Sequence, residues 1–181
     1  DYIAYCMDPR NFLTEKGIFQ FESLRYKETQ NISGVQAIIA NTFMAQPVAD
    51  TDGTTLSYDQ AFINIGSSIG VSPYHLAARV KQEQGALGKS SLISGQYSGF
   101  EGYYNYFNVG AYGATSAAVI KSGLTYAKNK GWDTRYKALL GGAQILGNNY
   151  IKKGQDTLYF QKFNVVYTSS LYSHQYMANV E

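Results

Sequence analysis

The sequence predicts a mainly α-helical domain with a small β or loop element between Leu92 and Tyr106. Three observations carry this reading. Apolar residues recur three and four apart through most of the chain, capping residues and glycines mark the ends of those stretches, and the Gly/Tyr-rich region 92–106 has no helical period. With 181 residues and 45% hydrophobic content, residues 1–181 read as a single domain with a real core, too short for two comfortable ones. The first residues show no charged region followed by an apolar one, so the chain is expected to be either a form that has lost its leader or a domain excised from a longer protein.

Taken in order, the first helix is expected over 33–44, GVQAIIANTFMA. The turn-rich connector AQPVADTDGTT follows, then a helix over 57–69, SYDQAFINIGSSI, with Ser57 as its cap. The next helix begins at Pro73, because Ser72 can accept from free amides and proline at the first helical position loses no needed hydrogen bond. Leu76, Val80 and Glu83 continue it at spacings of four and three on the core-facing stripe, and Gly85 offers the stop. A further helix runs from about Thr115 to Asn129, with Ala117, Ile120, Leu124 and Ala127 inward and Gly131 beyond its end. The last long helix runs from Asp133 or Thr134 to about Ile151, its stripe being Tyr136, Leu139, Leu140, Ala143, Leu146 and Tyr150. Gly141, Gly142 and Gly147 weaken it as a free surface helix and point to close packing or a bend. The tail from Asp156 to Val180 mixes short extended runs with one last helical turn.

Composition excludes several classes. Lys+Arg of 15 against Asp+Glu of 13 leaves a formal charge of +2 with no basic run, which argues against nucleic acid as a partner. The apolar stretches are short and broken, so no membrane insertion is expected. Cys6 stands alone, which rules out an internal disulfide. His75 and His174 lack partners at ligand spacing, so no metal site is expected, and His75 should pack or face water.

The unusual number is 17 tyrosines, with 9 phenylalanines and 18 glycines. A tyrosine offers a flat apolar ring and a hydroxyl together, which suits the apolar faces and hydroxyl edges of sugars, although cores use tyrosine freely too. Glu83 is the candidate for chemistry. A carboxyl on a core stripe is partly desolvated, and burial favours the neutral form that can donate a proton to a leaving oxygen. The plainer alternative is an ion pair with Arg79, one turn earlier on a solvated face, worth roughly 0.2–0.5 kcal/mol in a helix.

Several separated segments carry a resemblance. VKQEQGALG, YNYFNVGAYG at 104–113, GGAQILGNNYIKKGQDTLYFQKFNV at 141–165 and HQYMANV at 174–180 resemble the catalytic glucosaminidase domain of bacterial autolysins, glycoside hydrolase family 73. MDPRNFLTEKGIFQFESL, from Met7 to Leu24, resembles its clostridial members, and the similarity extends from about Asp8 to Val180. The resemblance implies a lysozyme-like fold with the small β or loop element bordering a substrate cleft. It also implies a secreted, wall-associated enzyme, here expected to be a monomer, that cuts the β-1,4 bond on the reducing side of N-acetylglucosamine in peptidoglycan glycan strands. No cofactor is implied.

The family's acid falls on Glu83. Glycoside hydrolysis usually needs a second carboxylate, about 5 Å away as nucleophile or roughly 6.5–9.5 Å away as base for water. Glu101, between two glycines in GFEGYYNYFNVG, is the candidate, with a solvated loop carboxylate as the alternative. The substrate's own 2-acetamido group can also attack, in which case Glu101 orients the acetamide or the water. Tyr176 matches a tyrosine of the family's C-terminal motif and would bring a hydroxyl to the reaction centre, unless it closes the core. Asn105, Phe107, Asn108 and Tyr112 are read as substrate-binding, amides to N-acetyl groups and aromatic faces to the glycan, with a core position the alternative for Phe107. Tyr150 is a further candidate that fits its helix's core stripe at least as well. Two other readings stay open: lytic transglycosylase or muramidase-type cleavage, and a wall-glycan-binding module without turnover.

Overall fold

The computed structural model describes residues 2–176. Its elements are α1 (Tyr2–Met7), α2 (Ile32–Ile39), β1 (Val48–Ala49), β2 (Thr55–Leu56), α3 (Tyr58–Ile69), α4 (Pro73–Gln84), α5 (Ser116–Asn129), α6 (Arg135–Asn149) and α7 (Leu158–Phe163), with short 3-10 turns between them. The chain forms two compact units, Tyr26–Ile145 on the one hand and Asp1–Arg25 with Leu146–Glu181 on the other.

In the Tyr26–Ile145 unit, α2, α3 and α4 pack on one another. Val35 and Ile39 of α2, Phe62 and Ile65 of α3, and Leu76 and Val80 of α4 are all exposed by 3% or less. Each such side chain stabilises the fold by about 1.5–3 kcal/mol through the apolar surface it removes from water. The limits of α4 follow from its sequence: Ser72 Oγ accepts from the His75 amide at 3.2 Å, Pro73 opens the helix, and Gly85 leaves it at φ 69°. α5 starts in the same way, with Thr115 Oγ1 accepting from the Ala118 amide at 3.2 Å.

Other expectations need correction. α2 ends at Ile39 rather than at residue 44, because Asn41 takes a left-handed φ of 59° and Thr42 turns the chain. The Thr42 hydroxyl lies 2.6 Å from the Ile39 carbonyl, to which it donates, and accepts from the Met44 amide at 3.2 Å. Ser57 precedes α3 without capping it; its hydroxyl donates to Asp59 instead. Of the two forms expected between Leu92 and Tyr106, the loop form holds, turns and loops following one another there, while the β element lies in the connector. β1 and β2 pair antiparallel, Val48 opposite Leu56 and Ala49 opposite Thr55. Asp52 Oδ1 accepts from the Thr54 amide at 3.0 Å, and Gly53 takes φ 83°, so the Asp-Gly pair makes the hairpin turn.

α6 begins at Arg135 and closes at Asn149, before a 3-10 turn at Ile151–Lys153. Its buried stripe runs through Ala138, Leu139, Ala143 and Leu146, while Tyr136 sits on the flank of that stripe at 38% exposure, contrary to expectation. Gly142 serves close packing: a Cβ there would meet the Phe107 ring at 2.3 Å. Asp50 ties the hairpin to this helix, its Oδ1 accepting from the Arg135 amide at 2.7 Å and its Oδ2 from the Tyr136 amide at 3.1 Å.

In the other unit, Cys6, Tyr159 and Phe163 form a small core against which Met7, Phe21 and Phe160 pack. The Tyr159 hydroxyl donates to the Met7 carbonyl. Arg25 pairs with Asp156 at 2.6 Å and donates to the Ile151 carbonyl at 3.2 Å. The tail, expected to mix extended runs with one last helical turn, holds the six-residue helix α7 and no strand among its described residues; Thr157 Oγ1 caps α7 by accepting from the Phe160 amide at 3.1 Å.

Candidate active site

Glu83 sits in the last turn of α4, and its side chain is 21% exposed. Arg79 Nη2 donates to its Oε1 at 2.8 Å, so the ion pair expected as the plainer alternative does form. It forms in a different setting from the one expected, since Arg79 is buried at 5% exposure and Arg79 Nη1 also donates to Gln82 Oε1 at 2.9 Å. The other oxygen, Oε2, accepts from Asn108 Nδ2 at 2.8 Å. The carboxyl is therefore held from two sides, once by its own helix and once by the loop that follows.

That loop is built on Asn105 and Phe107. Asn105 is fully buried; its Nδ2 donates to the carbonyls of Val109 at 2.8 Å and Gly123 at 2.9 Å, and its Oδ1 accepts from the Val109 amide at 3.1 Å. Phe107 is 4% exposed and packs into the space left by Gly142. Both were expected to contact substrate, and both are spent on holding the loop, with no face left for a ligand. Asn108 is placed differently. It takes φ 53° and bridges Glu83 and Gln84, its Oδ1 accepting from Gln84 Nε2 at 2.8 Å. Gln84 was missed at the sequence level, although a polar residue just ahead of the glycine stop was a visible signal.

Tyr112 is 76% exposed, and its backbone is tied to Ser122. Ser122 Oγ accepts from its amide at 2.9 Å and lies 2.8 Å from its carbonyl, to which it donates. Together with Lys121, Ser122, Thr125 and Tyr126, Tyr112 lines a cavity of about 570 Å³; Glu83 is not among its lining residues.

Glu101 lies in an exposed turn, where both its oxygens accept from the Gly99 amide at 3.1 Å. Its own backbone amide and that of Gly99 hold its carboxyl below the usual range. On the same helix as Glu83, His75 is buried, and burial, with Arg79 nearby, pushes its imidazole down to about 3.

Tyr150 and Tyr176 belong to the other unit, where their rings meet edge to face at 5.2 Å. The Tyr150 ring also lies 4.7 Å from that of His174, whose Nδ1 is 2.6 Å from Gln155 Oε1. Tyr176 is half-buried, and its amide donates to the Gln161 carbonyl at 2.9 Å. The rest of the HQYMANV motif, Met177 to Val180, lies outside the described residues.

The class defined so far is a mainly helical domain that holds a partly buried carboxyl, Glu83, at the end of a core helix. The chain is a homologue of the bifunctional autolysins of Staphylococcus aureus, being 30% identical to that of strain Mu50 over 188 residues. That alignment takes in 99% of this chain, which spans about 14% of the length of the curated relatives it matches. Among solved structures, the crystal structure of a major bifunctional autolysin superposes with a TM-score of 0.67 at 27% identity, covering 98% of this chain and 68% of that one. S. aureus autolysin E in complex with the muropeptide NAM-L-Ala-D-iGlu gives a TM-score of 0.67 at 25% identity, covering 99% of this chain and 70% of that one. No family model matches the chain. Among the described residues, no helix is long and apolar enough to cross a membrane.

Proposed function

We propose that this chain is an endo-β-N-acetylglucosaminidase that hydrolyses the β-1,4 bond between N-acetylglucosamine and N-acetylmuramic acid in peptidoglycan, with Glu83 as general acid. The observation that carries the reading is the Glu83 carboxyl, partly buried at the end of α4 and gripped at both oxygens, in a chain homologous to autolysins over nearly its whole length. The muropeptide bound to autolysin E supports the substrate class.

In this reading protonated Glu83 donates to the glycosidic oxygen as the bond to the anomeric carbon lengthens, and the leaving strand departs as an alcohol. The oxocarbenium-like centre is then met by water activated by Glu101, or by the oxygen of the sugar's own 2-acetamido group, with water opening the resulting ring in a second step. Tyr112, exposed on its Ser122 support, offers a flat face to a sugar ring. The whole chain acts as one catalytic domain, a secreted and wall-associated monomer with glycan strands as its partner, and the chemistry needs no metal or organic cofactor.

The test is mass spectrometry of fragments released from purified peptidoglycan, after borohydride reduction, by the wild-type chain and Glu83→Gln. Reducible N-acetylglucosamine ends from wild type only are expected. Anhydro-muramic ends would make it a lytic transglycosylase, reducible muramic ends a muramidase, and an absence of products with intact binding a wall-binding module.

A further inference from the structure

Arg79 and Asn108, which both donate to Glu83, differ in how they are fixed. Arg79 has only N–H groups to offer, so its polarity is set by chemistry. Asn108 carries a carbonyl and an amino group of nearly equal size, and its side chain can present either to Glu83. The Glu83 backbone carbonyl, 3.4 Å from Asn108 Nδ2, favours the amino group weakly, and the stronger constraint is the group at the other end of Asn108. Gln84 Nε2 lies 2.8 Å from Asn108 Oδ1, 2.9 Å from the Tyr106 carbonyl and 3.4 Å from the Asn105 carbonyl. Backbone carbonyls accept and never donate, so they demand the amino end of Gln84; that amino end then demands the carbonyl of Asn108, which leaves the Asn108 amino group for Glu83 Oε2 at 2.8 Å. The arrangement has a cost: Gln84 is 7% exposed and its Oε1 is buried with no hydrogen-bond partner. A buried amide that orphans its own oxygen is placed for its amino group.

We infer that Gln84 is a positioning residue that acts through Asn108, keeping a donor and never an acceptor against Glu83 Oε2. With Asn108 turned over, its carbonyl would face that oxygen, and a protonated Glu83 would spend its proton in an internal O–H···O bond instead of delivering it to the glycosidic oxygen. The inference rests on Glu83 as the acid.

The test is a double-mutant cycle on peptidoglycan hydrolysis with Gln84→Met and Asn108→Gly, glycine being chosen because it tolerates the φ of 53° at that position. Gln84→Met alone should lower kcat on the order of 10- to 100-fold with KM little changed, as expected of a misdirected reacting group. In the Asn108→Gly background the same change should cost no further activity, because nothing is left to orient. Equal losses in both backgrounds, or a Gln84→Met enzyme with wild-type kcat, would overturn the inference. Should Gln84→Met fail to fold, the side-chain amide resonances of Asn108 in the otherwise native chain decide. They should shift on Glu83→Gln and exchange slowly with solvent, and resonances that do neither would overturn it equally. Full activity in Glu83→Gln is a separate result, which removes the acid itself and with it the parent reading.

Discussion

Glu83 and Glu101 are both carboxylates gripped by donors, yet their surroundings have little in common. Glu83 draws on side chains, one from its own helix and one, Asn108, from a loop position 25 residues on. Glu101 draws on a backbone amide two residues away in an exposed turn. A local grip of that kind folds with the turn and asks nothing of the core. The grip on Glu83 exists only when α4 and the loop 104–113 are both in place, so the Glu83 site reports on the tertiary structure and the Glu101 site does not.

The largest test of this contrast is Glu83→Gln, an isosteric change that removes the proton and keeps the volume. Loss of about 10²- to 10⁴-fold in peptidoglycan hydrolysis is expected, with an unchanged circular dichroism spectrum. A folded variant of normal activity would put the chemistry elsewhere.

Next comes the support of the loop. Asn105→Ala strands the carbonyls of Val109 and Gly123 and the Val109 amide, so a loss on the order of 2–4 kcal/mol is expected in urea unfolding. A surface-like loss of a few tenths would show that the loop holds its shape without this residue.

A pH series sharpens the contrast further, because His75 lies buried on α4, the helix that carries Glu83. The His75 imidazole falls from 6.5 to about 3 on folding, chiefly by burial. Between those values the unfolded chain therefore binds the extra proton, and stability rises with pH. The contribution is fully present above the ordinary histidine range and is lost as pH falls towards about 3. Urea midpoints measured down the acid range should fall less steeply for His75→Gln than for the wild type; parallel curves would deny His75 this role.

The smallest effect is expected from Glu101→Gln. If the substrate's acetamide attacks, activity should fall by less than about tenfold, well short of the loss at the acid. Equal losses at Glu83 and Glu101, with substrate binding intact, would break the contrast and give the reaction two enzyme carboxylates.

The limits of α4 and the inward register of Glu83 were legible because each rests on neighbours in sequence: Ser72 and Pro73 start the helix, Gly85 stops it, and Leu76 and Val80 set the stripe. Of the partners of Glu83, Arg79 was legible one turn earlier on the helix and Asn108 was not, since no period links positions 83 and 108. Asn105 and Phe107 misled for a chemical reason. An amide or an aromatic ring suits a sugar and a crowded loop equally, and only burial tells them apart. The hairpin carried a readable Asp-Gly turn, but strands of two residues are too short for alternation to show.

The hairpin also bears on the order in which the molecule assembles. Two amides in the first turn of α6 are satisfied by Asp50, which stands 85 residues ahead of Arg135 in the chain. Thr134 caps only the Lys137 amide at 3.1 Å. The start of α6 is thus completed by a contact that closes a long loop, and long loops close late relative to local turns. A hairpin of two-residue strands, negligible as a sheet, becomes the latch that the last long helix waits for.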